Sequence, residues 1–444
     1  MASVVARALA KVDAEKASKQ DLEMLKKLVM EFKDELDALG VKVNKIDKRV
    51  AVLEDRLGGW KLRGILVFDA KFANGDAGDK TQWSAGATDK EFTKEKFRLF
   101  LSKQIDENTS FQSEYRVGAW ASGQKAEGSI DYKHKGRGES THQSWNKFFV
   151  TTKLPYDVKF RVGRFAFDWE GDNGLYNDED ATFGDWRVDG FEFKKSFGNL
   201  TGTAIIGRNA SGENRNTFMN ASYEQMLYAL NLNWTPNEKF FGGLMGYWQV
   251  GDGTLDSKHI YTYAVNAGFK FTPAVELKGI YYNQKFDGKA ATRDDSAKSW
   301  KAILDIKQDL LKFTSLWIEY SQEDNGFTGN NWANGQVARY SLGTYNEPGV
   351  LQGRPDNDNT SKYWFIKAEQ KWNKKWGSFV RFVKADFDTA NVDDATEWGV
   401  GVKYQYTPAI AFMLAYDAVD YGTGTSNKMS GDDNVILFRT TVKF

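Results

Sequence analysis

The stretch NVILFRTTVKF, residues 434–444, decides the fold. Taken two by two, Ile436, Phe438, Thr440, Val442 and Phe444 fall on one side of an extended chain, and Val435, Leu437, Arg439, Thr441 and Lys443 fall on the other. The first side is mostly apolar and the second carries two cations. A strand of this kind separates two solvents, so the fold turns on which solvent meets each face.

The same period of two recurs from Trp60 onward. Lys61, Arg63, Ile65, Val67 and Asp69 alternate with Leu62, Gly64, Leu66, Phe68 and Ala70. Tyr261, Tyr263, Val265, Ala267, Phe269 and Phe271 oppose Thr262, Ala264, Asn266, Gly268 and Lys270; Trp398, Val400, Val402, Tyr404 and Tyr406 oppose Gly399, Gly401, Lys403 and Gln405. About eighteen such segments can be counted, with sixteen the lower alternative, and those near 200 and 380 alternate poorly. Short connections (LPYD at 154, FGN at 197, WTPNEK at 234, FTPA at 271, YTPA at 406) alternate with long Gly- and Asp/Asn-rich ones, such as that from Asp324 to Thr360. The recurrent aromatic-Thr-Pro predicts three equivalent tight turns. An antiparallel meander with one smooth and one elaborate rim follows.

Composition narrows the choice of solvent. The 444 residues carry 60 basic and 60 acidic side chains and no cysteine, which gives no net basic footprint for nucleic acid and no thiol chemistry. No run of about eighteen apolar residues supplies a membrane helix. The mean hydropathy of −0.57 is nevertheless compatible with a transmembrane barrel, whose strands average two opposite faces. A propeller needs a repeat of roughly forty residues, which is lacking. A soluble barrel of this size would have to fill a very wide interior with its apolar face. Turning that face outward to lipid and the charged face inward to water removes the conflict, and Trp234, Phe271, Trp372 and Tyr406 then stand at a membrane interface. Residues 60–444 are therefore expected to form an all-β transmembrane barrel whose last strand closes against the one starting near Trp60. With an even strand number both barrel ends lie on the smooth rim. Phe438, Val442 and Phe444 resemble the C-terminal signal by which outer-membrane barrels are recognised for insertion.

Residues 18–59 obey another period. Leu22, Leu25, Val29, Phe32, Leu36, Leu39, Val43, Ile46, Val50, Leu53 and Leu57 are spaced alternately three and four apart through five heptads, flanked by Lys, Glu and Asp. A repeat of 3.5 keeps one seam facing a partner helix, so a self-associating coiled coil is favoured over an amphipathic helix lying on its own domain. It would form a stalk about 55 Å long. Ser18 and Asp21 suit its start, and Gly58-Gly59 its end. Residues 1–17 hold a short helical pattern, Val4, Val5, Ala8, Leu9 and Val12, read as an N-terminal extension or the closing helix of a module, plus a linker.

The segment WEGDNGLYNDEDATFGDW, 169–186, is the third long connection and concentrates Glu170, Asp172, Asp178, Glu179, Asp180 and Asp185. By position, acidity and its Gly-Arg-aromatic entry at 163–165 it resembles the third loop of general porins, which folds into the channel and narrows it. Inward cations on early and closing strands, Arg63, Arg98, Arg116, Lys147, Arg161 and Arg439, are candidates for a facing basic wall, and the two together would set a transverse field for polar solutes and ions. The plain alternative is a solvated surface loop. Its carboxylates also offer hard oxygens to calcium, without EF-hand spacing. His134, His142 and His259 form no triad or metal pattern, so no catalysis and no obligatory cofactor is expected.

A short helix ending VVARALAKV, a linker, the segment KQDLEMLKKLVMEFKDELDALGVKVNKIDKRVAVLEDRL, a Gly-Gly-Trp junction and a barrel ending in Phe together resemble the OmpM family, outer-membrane porins of diderm Firmicutes. The resemblance covers the layout of the whole chain, is specific in the coiled coil and looser in the barrel. It implies a homotrimer in outer-membrane lipid, a periplasmic stalk, passive uptake of small hydrophilic solutes, and an S-layer homology domain that binds peptidoglycan or a secondary cell-wall polymer. Only residues corresponding to that domain's closing helix, roughly Val4 to Lys11, are present.

Overall fold

The computed structural model describes residues 58–73, 90–117, 143–177, 181–209, 225–251, 259–287, 295–308, 314–324, 327, 360–387, 393–420 and 432–444. The predicted coiled coil, with its core from Leu22 to Leu57, and the extension before it lie outside these residues. So do Asp178, Glu179 and Asp180 of the acidic loop.

Eighteen strands form one sheet. They are β1 (Trp60–Ala73), β2 (Lys90–Gln104), β3 (Ser110–Val117), β4 (Gln143–Leu154), β5 (Val158–Phe167), β6 (Trp186–Phe197), β7 (Leu200–Asn209), β8 (Gln225–Asn237) and β9 (Phe240–Gly251). There follow β10 (His259–Thr272), β11 (Val275–Asp287), β12 (Ser296–Ile306), β13 (Ser315–Glu323), β14 (Ser361–Lys371), β15 (Trp376–Asp386), β16 (Ala395–Gln405), β17 (Ile410–Asp420) and β18 (Asp432–Lys443). Each strand pairs with its successor, and β18 pairs antiparallel with β1, from Ile65 opposite Lys443 to Ala73 opposite Val435. The sheet closes on itself, so no edge is left unpaired.

The faces fall as the alternation requires. On β18 Ile436, Phe438 and Phe444 are exposed, while Val435, Leu437 and Arg439 are buried. On β10 Tyr263, Val265, Phe269 and Phe271 are exposed outward and Ile260, Thr262, Ala264 and Asn266 are buried inward. Bulky apolar groups cover the outside of the barrel because only there do they meet a solvent that accepts them. The outward rings near the long-loop rim touch from strand to strand, Trp300–Tyr320 at 5.4 Å, Tyr320–Trp364 at 4.9 Å and Trp398–Tyr416 at 5.4 Å. Near the short-turn rim Trp376 stacks on Tyr404 at 4.4 Å, and Trp234, Phe271, Trp372 and Tyr406 are all exposed. These are two aromatic belts, the signature of a sheet standing in a bilayer.

Two sequence expectations change in detail. At 272 and 407 the Thr hydroxyl accepts the N–H two residues on, from Ala274 at 3.2 Å and Ala409 at 3.2 Å, so these turns are equivalent. At 235 it is not so. Thr235 and Pro236 belong to β8, and Asn237 caps the turn instead, accepting from Lys239 at 2.9 Å and Phe240 at 3.0 Å. The second change concerns the weak alternation near 200 and 380, which arises because β7 and β15 are apolar on both faces: Ile205, Phe379 and Val383 are buried inside, while Ile206, Val380 and Phe382 are exposed outside. The interior is wet only in part. A buried apolar cluster including Phe165, Trp169, Leu175, Phe183, Trp186, Tyr247, Tyr282 and Phe327 occupies one side of it.

The Gly58-Gly59 junction has positive φ at both residues, 54° and 73°, a conformation that only glycine adopts freely. Among the described residues no helix is long and apolar enough to cross a membrane, which says nothing of strands.

Candidate functional site

The interior cluster exists because the connection between β5 and β6 turns inward. Asp168 ends the strand and caps a single helical turn, α1 (Trp169–Asp172): its Oδ1 accepts from the Gly171 N–H at 2.8 Å, and its Oδ2 accepts from the Tyr176 hydroxyl at 2.5 Å. The cap directs Trp169 onto Tyr247 of β9, with centroids 5.1 Å apart. Phe183, returning, meets Tyr247 at 5.1 Å, Tyr282 of β11 at 6.0 Å and Phe327 at 6.2 Å. Gly184 makes this approach with φ +91°, and a Cβ there would come within 2.7 Å of the Tyr247 hydroxyl.

Glu170 fastens the loop. It is fully buried and accepts from the Tyr282 hydroxyl at 2.7 Å, the Thr182 N–H at 2.9 Å and the Thr182 hydroxyl at 3.1 Å, and it ion-pairs with buried Lys301 of β12. Lys301 lies 3.8 Å from Glu319 of β13 as well, and Lys367 of β14 donates to Asn177 Oδ1 at 3.2 Å. The loop thus crosses from β5 to inward side chains of β9, β11, β12 and β14. A carboxylate enclosed by three kinds of donor and a lysine is a structural anchor, so Glu170 is withdrawn from the water-facing role expected of it.

The other acidic positions differ. Asp172 is exposed, and Lys194 and Arg161 are the cations that act on its carboxyl. Partial burial against the loop raises its pKa, and those two cations offset part of the rise. Asp185 is half-buried at the foot of β6, within electrostatic reach of Arg187. Asp168, not among the acidic residues singled out above, has its pKa raised to about 6, chiefly by burial, with Tyr176 and Gly171 opposing and Glu170 and Asp172 adding to the rise.

Four of the six candidate cations stand on consecutive strands and face inward. Arg98, Arg116 and Lys147 surround buried Glu114 of β3, Arg98 Nε at 3.5 Å, Lys147 Nζ at 3.4 Å and Arg116 closest. Arg161 pairs with Glu192 at 3.2 Å and lies over the rings of Phe149 and Phe165 at 5.2 and 5.1 Å. The remaining two are elsewhere. Arg439 binds Asp69 through Nε at 2.7 Å and Nη2 at 2.6 Å and joins β18 to β1, and Arg63 is exposed near the short-turn end of β1. Three further inward ionic groups escaped the sequence analysis: Lys278 with Asp305 at 3.2 Å and Glu276 at 3.3 Å, Lys403 and Lys367 with Glu369 at 3.0 and 3.2 Å, and Arg381 with Glu397. A charge at an inward position of an alternating strand is signal enough to find them.

Among the described residues no three His, Cys, Asp or Glu side chains are grouped to hold a metal, and Asp178, Glu179 and Asp180 of the calcium expectation fall outside them.

Phe444 sits at the seam. Its N–H donates to the Gly64 carbonyl at 3.0 Å, its carbonyl accepts from the Gly64 N–H at 2.5 Å, and its ring lies against Gly64, where any Cβ would collide with it. Phe438 is stacked on Phe412 at 5.9 Å, and Val442 pairs with Leu66 and Ile410.

No family model matches the sequence, nor does any curated protein sequence. Solved structures match in fold. The outer membrane protein OprD from Pseudomonas aeruginosa aligns with a TM-score of 0.54 at 12 % identity, covering 87 % of this chain and 93 % of that one. OpdL from the same organism aligns at 0.53 and 13 %, covering 87 % and 99 %, and OccAB4 from Acinetobacter baumannii at 0.51 and 16 %, covering 86 % and 98 %. At such identities the likeness is one of fold: a closed antiparallel barrel of the outer-membrane kind.

Proposed function

We propose that this chain is an outer-membrane diffusion channel for small hydrophilic solutes and ions, a porin and not an enzyme, with the loop 168–185 as its constriction. The observation that carries the proposal is the inward-folded loop: exposed Asp172 lies within electrostatic reach of Arg161 and Lys194 on the two flanking strands, while Arg98, Arg116 and Lys147 continue the cationic side. Opposed charges across a narrowed, water-filled passage orient polar solutes and set ion preference. Asp178, Glu179, Asp180 and Asp185 extend the acidic side in this proposal, and Arg63 flanks the short-turn mouth. The short-turn rim is periplasmic, which puts the start of β1 there and directs the heptad segment 18–57 into the periplasm as a trimerising stalk. The resemblance to the OmpM family supports that trimer, and in the full-length protein a link through the stalk to the cell wall.

Planar-bilayer recording tests the proposal: the purified protein should insert with three equal conductance steps, and a protein that inserts without conducting would sink it. A second reading, a structural tether whose barrel is largely plugged, is favoured by the apolar packing of Trp169, Leu175 and Phe183 inside the barrel. Liposome swelling separates the two, because a plugged anchor admits no small sugar.

A further inference from the structure

Inward charge is not spread evenly round the barrel. Among the described residues, every strand from β11 to β18 and from β1 to β6 carries a charged side chain at an inward position, Lys278 on β11 and Lys194 on β6 being the last at either end. The four strands between them differ. Inward positions 201–207 of β7, 227–233 of β8, 241–249 of β9 and 260–268 of β10 hold only uncharged residues, and Lys270 stands beyond them, exposed towards the short-turn rim. The inward loop spans this neutral panel from margin to margin. Asp172 acts on Lys194 at one side, and at the other a Cβ on Gly174 would stand 3.6 Å from the Lys278 Nζ.

One paired row of the panel is rich in uncharged hydrogen-bonding groups. Ser196 of β6, Thr201 of β7, Asn233 of β8, Gly243 of β9 and Asn266 of β10 lie side by side, on the short-turn side of the loop's contact with Tyr247. The Ser196 and Thr201 hydroxyls are bonded to each other at 3.0 Å. Gly243 lets the two amides close over it: a Cβ there would come within 2.6 Å of Asn233 Oδ1 and 2.9 Å of Asn266 Nδ2. Asn233 is half-buried. Asn266 is 2 % exposed, and neither of its amide atoms has a hydrogen-bond partner among the described residues. A buried amide in that condition is costly, so the row favours a guest that satisfies it. Beside the row, half-buried Phe241 of β9 lays its ring against Gly268 of β10, where any side chain would collide with it.

Each carboxamide offers both donors and an acceptor. A carboxylate only accepts and an ammonium only donates, whereas a hydroxyl does both and answers two amides at once. The C–H face of a sugar ring also suits the negative face of an aromatic ring. We propose that the inner wall of β7–β10 is a subsite for a neutral polyhydroxylated solute of monosaccharide size, its ring on Phe241 and its hydroxyls on Asn233, Thr201 and Asn266. The inference rests on the channel reading and names a solute class for it.

Single-channel recording of the full chain in planar bilayers tests it, with glucose and a polyethylene glycol of similar size as probes. Glucose should lower the potassium chloride current in a saturable way, beyond the fall that the glycol causes by volume alone. Asn233→Leu/Asn266→Leu should weaken the apparent glucose affinity roughly tenfold. Phe241→Ala should weaken it roughly fivefold, and Phe241→Trp should retain it. Each variant is compared with its own sugar-free current, and folding is checked by heat-modifiable gel mobility. If the double variant does not fold, half-buried Asn233→Leu decides alone. Glucose acting no more strongly than the glycol on the unaltered protein overturns the subsite, as does an undiminished glucose effect in the folded variants. The sugar-free current of the unaltered protein separates the two readings: its absence sinks the channel, whereas a conducting channel indifferent to glucose sinks the subsite alone.

Discussion

Lys301 of β12 and Glu170 of the inward loop form an ion pair in which both side chains are almost wholly shielded from water. The pair is the point at which a surface connection becomes part of the barrel interior. Removing one partner of a buried pair leaves an uncompensated charge and typically costs about 3–5 kcal/mol. Lys301→Met should therefore free the loop: open-channel noise should rise and mean conductance increase, while the barrel keeps its heat-modifiable mobility. Glu170→Gln/Lys301→Met should recover most of the loss. Unchanged conductance in the single variant would remove the anchor from the account.

The loop should also respond to pH through Asp168. Its carboxyl, raised to about 6 in the folded chain against 3.8 ordinarily, binds protons more readily folded than unfolded. The sign follows: its contribution is fully present below about pH 4 and is lost as pH rises through about 6, a difference of up to about 3 kcal/mol. Loop-derived current fluctuations should be rarer at acid pH than at neutral pH. Asp168→Asn at neutral pH should behave like the unaltered protein in acid, and a flat pH profile for the unaltered protein would contradict the assignment.

Ion preference should depend on Asp172 more than on Glu170, although both are acidic positions of one loop. Asp172 is exposed and within electrostatic reach of Arg161 and Lys194, whereas Glu170 is enclosed. Asp172→Asn should shift the reversal potential in a salt gradient towards anions by a few millivolts with little effect on stability. Glu170→Gln should lower loop stability first. A larger selectivity change from Glu170→Gln than from Asp172→Asn would reverse these roles.

At the seam, Asp69 and Arg439 are separated by 370 residues yet share two hydrogen bonds. Arg439→Met strands a buried carboxylate and should lower the midpoint of urea unfolding, at a cost of about 3–5 kcal/mol. Gly64→Val drives a side chain into the Phe444 ring and should slow barrel closure in refolding assays. Normal closure in Gly64→Val would show that the ring can leave its place at no cost.

Much of the architecture was legible from residue order. Period-two alternation located the strands, the inequality of the connections located the rims, and an interior too wide for the apolar face to fill separated a lipid-facing barrel from a soluble one. These are local properties, since a strand's two faces are set by its own residues whatever it pairs with. The connection WTPNEK at 234 holds the turn, but its equivalence to those at 271 and 406 failed because Trp-Thr-Pro and Asn237 both supply turn chemistry, and register against β7 and β9 decided between them.

What the sequence by itself determined was the strand count to within about two and which side of each strand meets lipid, because both follow from spacing along one chain, while closure into eighteen was decided by pairing. Tertiary structure alone decided that Glu170 is an anchor while Asp172 is open, and that Arg439 closes a seam while Arg161 pairs with Glu192. Those differences depend on what lies opposite a side chain across the barrel or one strand over. A carboxylate's role is set by the distance to its cations and by the water left around it, and neither is a property of its neighbours in sequence.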